Sequence, residues 1–293
     1  MATQQDIKRR IRSVKNTEKI TKAMELVAAS RLRRAQARIE ALRPYADRMR
    51  QLTVEVAAAS GSVYDQPLLE RRDEIKTVAV IAVSGDRGLA GAFNANIVRR
   101  SLEIAREHRS QGRDLRWLTI GRRGSSTLRF RGQQIEQAYT GFTDRPQYAN
   151  ARAIAARVAE LYAEGEVDLV TMVFNRFQSA LSQQVEVIDL LPVPEEVVQD
   201  DEEHRPIEGA YLEEPDNREI LARLLPAYLE VTIYRALLES TASEHGARMT
   251  AMRNASDNAN TLIDQLTLRM NRARQAEITQ EILEVVAGAD ALE

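Results

Sequence analysis

Hydrophobic residues recur every three or four positions through the first 58 residues, which contain no glycine and one proline. A heptad register can be laid from Ile7, and eleven of its fifteen core positions are apolar. The core positions are Ile7, Ile11, Val14, Glu18, Thr21, Glu25, Ala28, Leu32, Ala35, Ile39, Leu42, Ala46, Met49, Thr53 and Val56. This spacing predicts one long coiled-coil helix over residues 1–58. Pro44 predicts a local bend rather than an end, because the pattern resumes at once.

The exceptions to this register cluster between Glu18 and Glu25. There the apolar residues Ile20, Met24 and Val27 lie on a displaced face of the helix. We therefore expect this part of the helix to face something other than its usual coiled-coil partner.

The spacing of hydrophobic residues changes in residues 75–194, from a helical repeat to short apolar runs. Two β-branched, nearly continuous apolar runs, Thr77–Val83 and 167–174, predict buried strands, and 115–120 predicts a shorter one. Segments 94–108 and 147–163 read as intervening helices, so this region is predicted to be a Rossmann-like α/β domain with a parallel sheet. Residues 183–190 alternate polar and apolar side chains, which favours an edge strand.

An acidic, proline-containing linker and foot segment follows at 195–216, and a second long coiled-coil helix is predicted over 217–293. Nine of its eleven predicted core positions are apolar, and many are alanine, which allows two helices to approach closely. These positions are Met252, Ala255, Ala259, Leu262, Leu266, Arg269, Ala273, Ala276, Gln280, Leu283 and Ala287.

The two terminal helices are predicted to pair antiparallel, because the central domain joins the end of one to the start of the other. At 1.5 Å per residue the final helix outreaches its partner by roughly 20 Å. Its tip, 278–292, is apolar on more than one face, so we expect another protein to receive it.

Composition excludes several classes of function. The chain has no cysteine, which rules out disulfides, thiolate metal sites and a cysteine nucleophile. Its net charge is only −2, yet residues 1–58 hold 14 Lys plus Arg against 6 Asp plus Glu. The longest apolar run is far shorter than the roughly 20 residues of a membrane span, so membrane association is expected only through partners.

Two glycine-containing turns are weak candidates for binding an anion. Residues 84–91 (SGDRGLAG) follow a strand and precede a helix, but they match neither phosphate-binding consensus, so a structural turn is the preferred interpretation. Residues 121–124 (GRRG) read as a solvated turn. His108, His204 and His245 have no metal-ligand spacing, and no cofactor is predicted.

Four stretches closely resemble the γ subunit of F-type ATP synthases. They are RIRSVKNTEKITKAMELVAASRLRRA at 10–35, SGDRGLAGAFN at 84–94, SEHGARMTAM at 243–252 and RQAEITQEI at 274–282. They occur in the family's order along the whole chain. Ala90 stands where the family commonly has cysteine, and no chloroplast-type insertion or transit peptide is present, which favours a bacterial protein.

The resemblance implies a rotor subunit of the central stalk that is not itself catalytic. In the family, the coiled coil runs along the axis of a hexamer of α and β subunits, and the foot attaches with the ε subunit to the membrane c-ring. Proton flow turns the assembly, and the asymmetric rotor holds the three catalytic sites in different affinity states. One copy per complex, peripheral on the cytoplasmic face of the plasma membrane, is expected.

The resemblance also implies contact residues. Those expected to meet the catalytic ring are Met24, Arg248, Arg274, Gln275, Thr279 and Glu281. Those expected at the foot, against the c-ring, are Tyr211, Glu213 and Glu214.

Two other classes of function remain open from the residues alone. A nucleotide-binding α/β enzyme would bind nucleotide as an isolated chain and lose that affinity when Gly85, Gly88 or Gly91 is changed. A nucleic-acid binder using the basic first helix would show steeply salt-dependent binding, although the helix lacks stacking aromatics beside its charges.

Overall fold

The computed structural model describes residues 4–59, 66–180, 182–194 and 217–290. Two long helices, α1 (Gln4–Ala59) and α5 (Asn217–Asp290), run through Pro44 and Pro226 respectively without ending. The contacts divide the chain into two compact units, one of Met1–Ala28 with Arg248–Glu293 and the other of Ala29–Ala247.

The first unit is an antiparallel coiled coil, as the heptads predicted. Ile7 and Ile11 cluster with Leu266, whereas Thr21, further along α1, meets Ser256, which is earlier on α5. Residues later in α1 therefore contact residues earlier in α5, which is the antiparallel arrangement. All fifteen predicted core positions of α1 are buried or half-buried.

The expectation that Glu18–Glu25 leaves its coiled-coil partner is wrong. Thr21 and Glu25 are buried in the seam, and both are hydrogen-bonded to α5. Polar residues in a buried seam are stable when their partners are also polar and correctly placed. The seam therefore changes from apolar to polar contacts here, and pairing continues.

The predicted seam of α5 is half correct. Met252, Ala255, Ala259, Leu266 and Ala273 are buried or half-buried, as predicted. At two other positions the seam residue is one later than predicted: Ile263 and Met270 are half-buried, whereas Leu262 is 42% exposed. Ser256, next to Ala255, is also buried in the seam. Arg269 and the predicted positions after Ala273, namely Ala276, Gln280, Leu283 and Ala287, are exposed.

The second unit contains a five-stranded sheet of order β3-β2-β1-β4-β5. Its strands are β1 (Thr77–Val83), β2 (Asp114–Ile120), β3 (Ile135–Tyr139), β4 (Leu169–Phe177) and β5 (Gln183–Leu191). The first four are parallel, and β5 is an antiparallel edge strand, as its alternation predicted. Helices α2 (Phe93–Ser110), α3 (Arg122–Phe130) and α4 (Tyr148–Ala163) connect the parallel strands.

Helices cover both faces of the sheet. Val78, Val80 and Ala82 of β1 point into a core shared with α2 and α3. The alternate residues of β1 point into a second core with α4 and with residues 221–237 of α5. A strand buried on both faces has a continuous apolar sequence, which explains why TVAVIAV was recognisable as a strand.

Candidate interaction surfaces

The crevice where Rossmann-like sheets bind ligands is occupied here by the chain's own helix. Such ligands bind beyond the carboxyl ends of the strands, where the strand order reverses, which in this sheet lies between β1 and β4. Ser243 Oγ of α5 donates to the Asn175 carbonyl at 3.2 Å, and Thr241 Oγ1 donates to the Thr143 carbonyl at 2.9 Å. A cavity of about 10 Å³ remains beside Ser84 and Glu244, which is room for about one water molecule.

Asp86 holds together the loops at this end of the sheet. Its Oδ1 accepts from the Arg122 amide at 3.0 Å, and its Oδ2 accepts from the Gly141 amide at 2.8 Å and from the Thr143 amide and hydroxyl at 3.1 and 3.0 Å. Burial raises the pKa of Asp86, but these four hydrogen bonds outweigh it and lower the pKa overall.

The amides at the start of α3, next to the SGDRGLAG loop, are not available to a phosphate. The first three amides of α3 are all used internally, by Asp86, by the Gly85 carbonyl and by Ser84 Oγ. A helix N-terminus binds an external anion through such amides only when they are free. These bonds favour the structural interpretation of the loop, while GRRG, predicted as a solvated turn, is instead the start of α3.

We expect the substitution Asp86→Ala to lower the free energy of unfolding by about 2 kcal/mol at neutral pH, because it removes acceptors of several hydrogen bonds to a charged group. Since the folded pKa of Asp86 is depressed, its contribution is present above the unfolded pKa and is lost as pH falls through the folded value. The difference from the unaltered chain should therefore shrink below about pH 4. Urea unfolding at pH 7 and pH 3.5 measures it.

The control is Asp114→Ala, which removes an exposed carboxylate from the same domain. It should change stability by less than about 0.5 kcal/mol. An equal loss in both variants would contradict the bridging role of Asp86.

A cluster of polar side chains, here called the polar crossing, links α1 to α5 within the coiled-coil seam; it consists of Thr21, Lys22, Glu25, Arg253 and Ser256. Thr21 Oγ1 and Ser256 Oγ are 2.7 Å apart, and Glu25 accepts from Arg253 Nε and Lys22 Nζ, each at 3.0 Å. The hydrogen bonds from Lys22 and then Arg253 are the largest causes that lower the pKa of Glu25. A shift of α5 along α1 by one heptad would separate these hydrogen-bonding partners. The polar crossing therefore favours the observed register of the two helices.

An exposed apolar stripe lies beside this crossing on α1. Ile20 is 60% exposed, Val27 is 52% exposed, and Met24 between them is half-buried. Their spacing of four and three residues places them on one face of the helix. The displacement of these three residues from the heptad register was recognisable in the sequence, whereas Leu26, which is also exposed, was not expected there.

The end of α5 has no covering partner among the described residues. Every residue from 274 to 287 is exposed, including the predicted contacts Arg274, Gln275, Thr279 and Glu281. Five large apolar side chains are among them: Ile278, Ile282, Leu283, Val285 and Val286. Thr279 Oγ1 donates to the Gln275 carbonyl at 2.9 Å, so its hydroxyl is already bonded to the helix.

The remaining predicted contact residues are placed differently. Arg248 is 7% exposed, so little of its side chain is available to another subunit. Tyr211, Glu213 and Glu214 lie outside the described residues.

The residues that the structure describes contain no cluster of three or more His, Asp or Glu side chains able to hold a metal ion. Within the same described ranges, no helix has both the length and the apolar composition needed to cross a membrane.

Comparison with known proteins gives full-length matches. The family model described as ATP synthase matches residues 3–292. The chain is 46% identical to the ATP synthase gamma chain of Pelotomaculum thermopropionicum, with all of both chains covered. It is 43% identical to that of Rubrobacter xylanophilus, covering 100% of this chain and 99% of the relative.

Two solved structures are also similar. A chain of the Tetrahymena thermophila mitochondrial ATP synthase central stalk and c-ring is 28% identical with a TM-score of 0.59, covering 81% of this chain and 99% of that one. A chain of the Euglena gracilis mitochondrial ATP synthase is 18% identical with a TM-score of 0.68, covering 99% and 94%, and supports the fold alone.

Proposed function

Because this chain belongs to the ATP synthase gamma chain family, we propose that it is the central-stalk rotor subunit, coupling rotation of the c-ring to conformational changes at the catalytic β subunits. The observation that carries this proposal is the exposed end of α5. The coiled coil pairs α1 with α5 as far as Ala273, and beyond it fourteen exposed residues, 274–287, display apolar side chains on several faces. Such a surface is typical of a helix that is enclosed by other subunits.

Unequal faces are what a rotor requires. Around Met24, α1 presents the apolar stripe of Ile20, Met24 and Val27, whereas α5 presents the exposed, charged Arg253, whose guanidinium pairs with the buried Glu25. A surrounding subunit would meet a different face after each step of rotation. Its conformational equilibrium shifts by the difference in contact free energy, which is how a rotating part without a catalytic site drives chemistry elsewhere.

We propose a separate contact surface on the chain for each group of partner subunits. Subunits α and β would receive the coil through Met24, Arg274, Gln275, Thr279 and Glu281, with a small contribution from Arg248. Arginine suits such contacts because its guanidinium binds carboxylates in a forked geometry. Tyr211, Glu213 and Glu214 would meet the proton-driven c-ring, next to the ε subunit.

The subunit would be present once per complex and would reach the cytoplasmic face of the plasma membrane only through its partners. We further propose that it has no catalytic site of its own and binds no cofactor or nucleic acid. Occupation of the sheet's ligand crevice by Thr241, Ser243 and Glu244 supports this assignment.

Reconstitution tests the proposal. Mixing the full chain with α and β subunits should restore ATP hydrolysis that the α and β mixture alone lacks. A chain lacking residues 281–293 should still assemble, because the seam up to Ala273 remains, but with weaker coupling of hydrolysis to rotation. Hydrolysis rate and single-molecule rotation are the two measurements.

The isolated chain provides the control. It should neither hydrolyse ATP nor bind nucleotide by equilibrium dialysis, whereas an α/β nucleotide-binding enzyme would do so. Failure of the full chain to restore hydrolysis, with every component folded, would refute the rotor assignment.

A further inference from the structure

A patch of arginine side chains surrounds an exposed phenylalanine at the amino edge of the sheet, where the parallel strands begin. Strands β1, β2 and β3 are parallel, and α2 and α3 connect them, so both helices end at this edge. Arg109 Nη2 donates to Gln133 Oε1 at 2.7 Å, which links the end of α2 to the residues that follow α3. The arginine patch consists of Arg106, Arg109, Arg113, Arg129, Phe130 and Arg131.

The charges of the patch are not balanced by the side chains around it. Among the described residues, none of its five guanidinium groups has a carboxylate within ion-pair distance, whereas Arg100, Arg116 and Arg157 of the same unit each have two. The acidic residues next to the patch in the sequence are Glu107, which pairs with Arg100 at 3.5 Å, and the exposed Asp114. The patch therefore carries an excess of positive charge.

The helix ends explain part of this composition. Cations near the carboxyl end of a helix are stabilised by its dipole, which accounts for Arg109 and Arg129 in the last turns of α2 and α3. The dipole does not account for Arg113, which lies beyond α2, or for the aromatic ring of Phe130, which is 92% exposed. Unpaired basic side chains around an exposed aromatic ring are the two features that peripheral proteins use to bind a membrane interface.

An anionic lipid surface fits both features of the patch. Guanidinium groups bind phosphate in a forked geometry, and the cytoplasmic leaflet of a membrane is negatively charged. Aromatic side chains insert at the boundary between the headgroups and the acyl chains. A protein partner would need a pocket shaped to receive Phe130, whereas a fluid lipid surface accepts a projecting ring without one.

The chain leaves the α/β unit for the coiled coil at the carboxyl edge of the sheet. There Thr241 and Ser243 of α5 bond to the carbonyls of Thr143, which follows β3, and Asn175, near the end of β4. These two residues of α5 lie just before Ala247, where the α/β unit ends. In the proposed rotor the coiled coil leads to the catalytic subunits, which leaves the amino edge, with the patch, available to the membrane.

We propose that the arginine patch binds the phosphate headgroups of anionic lipids directly, with the ring of Phe130 inserted between them. The inference rests on the proposed function for the orientation of the patch. It adds a contact to the attachment through partner subunits and does not replace that attachment, because a few exposed charges give only weak, reversible binding. Contacts of this strength do not prevent a rotor from turning.

The chain's only tryptophan, Trp117, is 1% exposed and gives a constant fluorescence background. Phe130→Trp places a reporter in the patch, and Tyr45→Trp places a control reporter at a 51% exposed position on the basic helix α1. The full chain is mixed with vesicles of phosphatidylcholine, with or without phosphatidylglycerol, at about 0.1 M salt, where charges more than about 10 Å apart are screened. Brominated acyl chains in the vesicles quench a tryptophan that inserts among them.

The Phe130→Trp reporter should be quenched by the vesicles that contain phosphatidylglycerol and not by neutral vesicles, while the Tyr45→Trp reporter should respond to neither. Adding Arg106→Gln, Arg129→Gln and Arg131→Gln should weaken binding at least tenfold, since these exposed side chains supply much of the attraction. The matched control, Arg122→Gln, Arg123→Gln and Arg145→Gln, removes the same charge from exposed positions at the carboxyl edge and should change binding less than twofold.

Three results would overturn the proposal: no quenching of the Phe130→Trp reporter, equal quenching of both reporters, or equal loss of binding in the two triple variants. A spectral shift of the Phe130→Trp reporter with soluble polyglutamate but not with vesicles would overturn it in favour of an acidic protein segment. The same chain is also assayed for restoring ATP hydrolysis with α and β subunits. Restored hydrolysis without vesicle binding would refute the lipid contact alone, whereas vesicle binding without restored hydrolysis would refute the rotor assignment.

Discussion

Replacing Gly121 with alanine is expected to lower the free energy of unfolding by more than about 3 kcal/mol, enough to prevent folding of a marginally stable domain. Gly121 lies between β2 and α3 with φ at 90°, a conformation that side chains disfavour. A β-carbon there would lie 2.1 Å from the carbonyl oxygen of Ser84 and 2.6 Å from its carbonyl carbon. Both are backbone atoms at the end of β1, so the strand itself would have to move. Soluble yield and urea unfolding of the purified variant measure the effect.

Gly112→Ala supplies the matched control. Gly112 also has a positive φ, of 77°, but no atom lies within 4 Å of the position that its β-carbon would take. This variant should lose only the conformational preference of glycine, about 1 kcal/mol. The two measurements together separate backbone strain from steric overlap. Similar losses in both would show that the close approach of Gly121 to Ser84 is not needed for folding.

The sequence was most informative where burial is continuous. TVAVIAV, buried on both faces at the centre of the sheet, was predicted with its observed bounds of Thr77–Val83, and the edge strand β5 was recognisable from its alternation. Both are direct consequences of which faces contact water. The same holds for α1, where all fifteen positions of the heptad register are buried or half-buried.

Short elements were missed because their stability comes from the tertiary structure. Helix α3 has nine residues, among them a buried glycine and two serines, and Asp86 and Ser84 from another loop accept its first amides. Strand β3 (IEQAY) has only five residues and lies at the sheet edge. Neither is long enough to show a period, and the partners that stabilise them are distant in sequence.

The register of α5 was predicted imperfectly because polarity alone does not identify a seam residue. Ser256 faces α1 since Thr21 supplies a hydrogen-bond partner there, while Ala255 beside it is apolar and was chosen instead. Alanine is compatible with both the seam and the exposed surface. The register of an alanine-rich helix can therefore be predicted only when the helix that packs against it is known.

For the expected contact residues, the sequence indicated the exposure of the α5 tip but not the burial of individual charged side chains. The apolar character of residues 278–286 on several faces correctly indicated an exposed tip. Arg248, in contrast, was expected to contact other subunits from its charge and family resemblance, yet it is buried within this chain. An arginine side chain packs its long stem against apolar neighbours, so charge does not establish exposure.

The apolar stripe of α1 provides the most direct test of coupling. We expect Met24→Lys to reduce the proton pumping that accompanies ATP hydrolysis several-fold, while the chain still folds and assembles. Met24 is half-buried between the exposed residues Ile20 and Val27, so its replacement should cost the isolated chain less than about 1 kcal/mol. Within the proposed assembly the lysine would lose much of its hydration against a β subunit, and an unpaired charge there costs considerably more.

Leu26→Lys distinguishes the stripe from general effects of added charge. Leu26 is two residues from Met24 and is also exposed, but at about 100° per residue it lies about 160° around the helix from Met24 and about 100° or more from Ile20 and Val27. It introduces the same charge into the same turn, so both variants should show similar stability. Proton pumping per ATP hydrolysed, measured in inverted vesicles, should fall several-fold for Met24→Lys and remain within twofold of normal for Leu26→Lys. Unchanged pumping by Met24→Lys, or equal loss in both, would refute the assignment of this face to the catalytic ring.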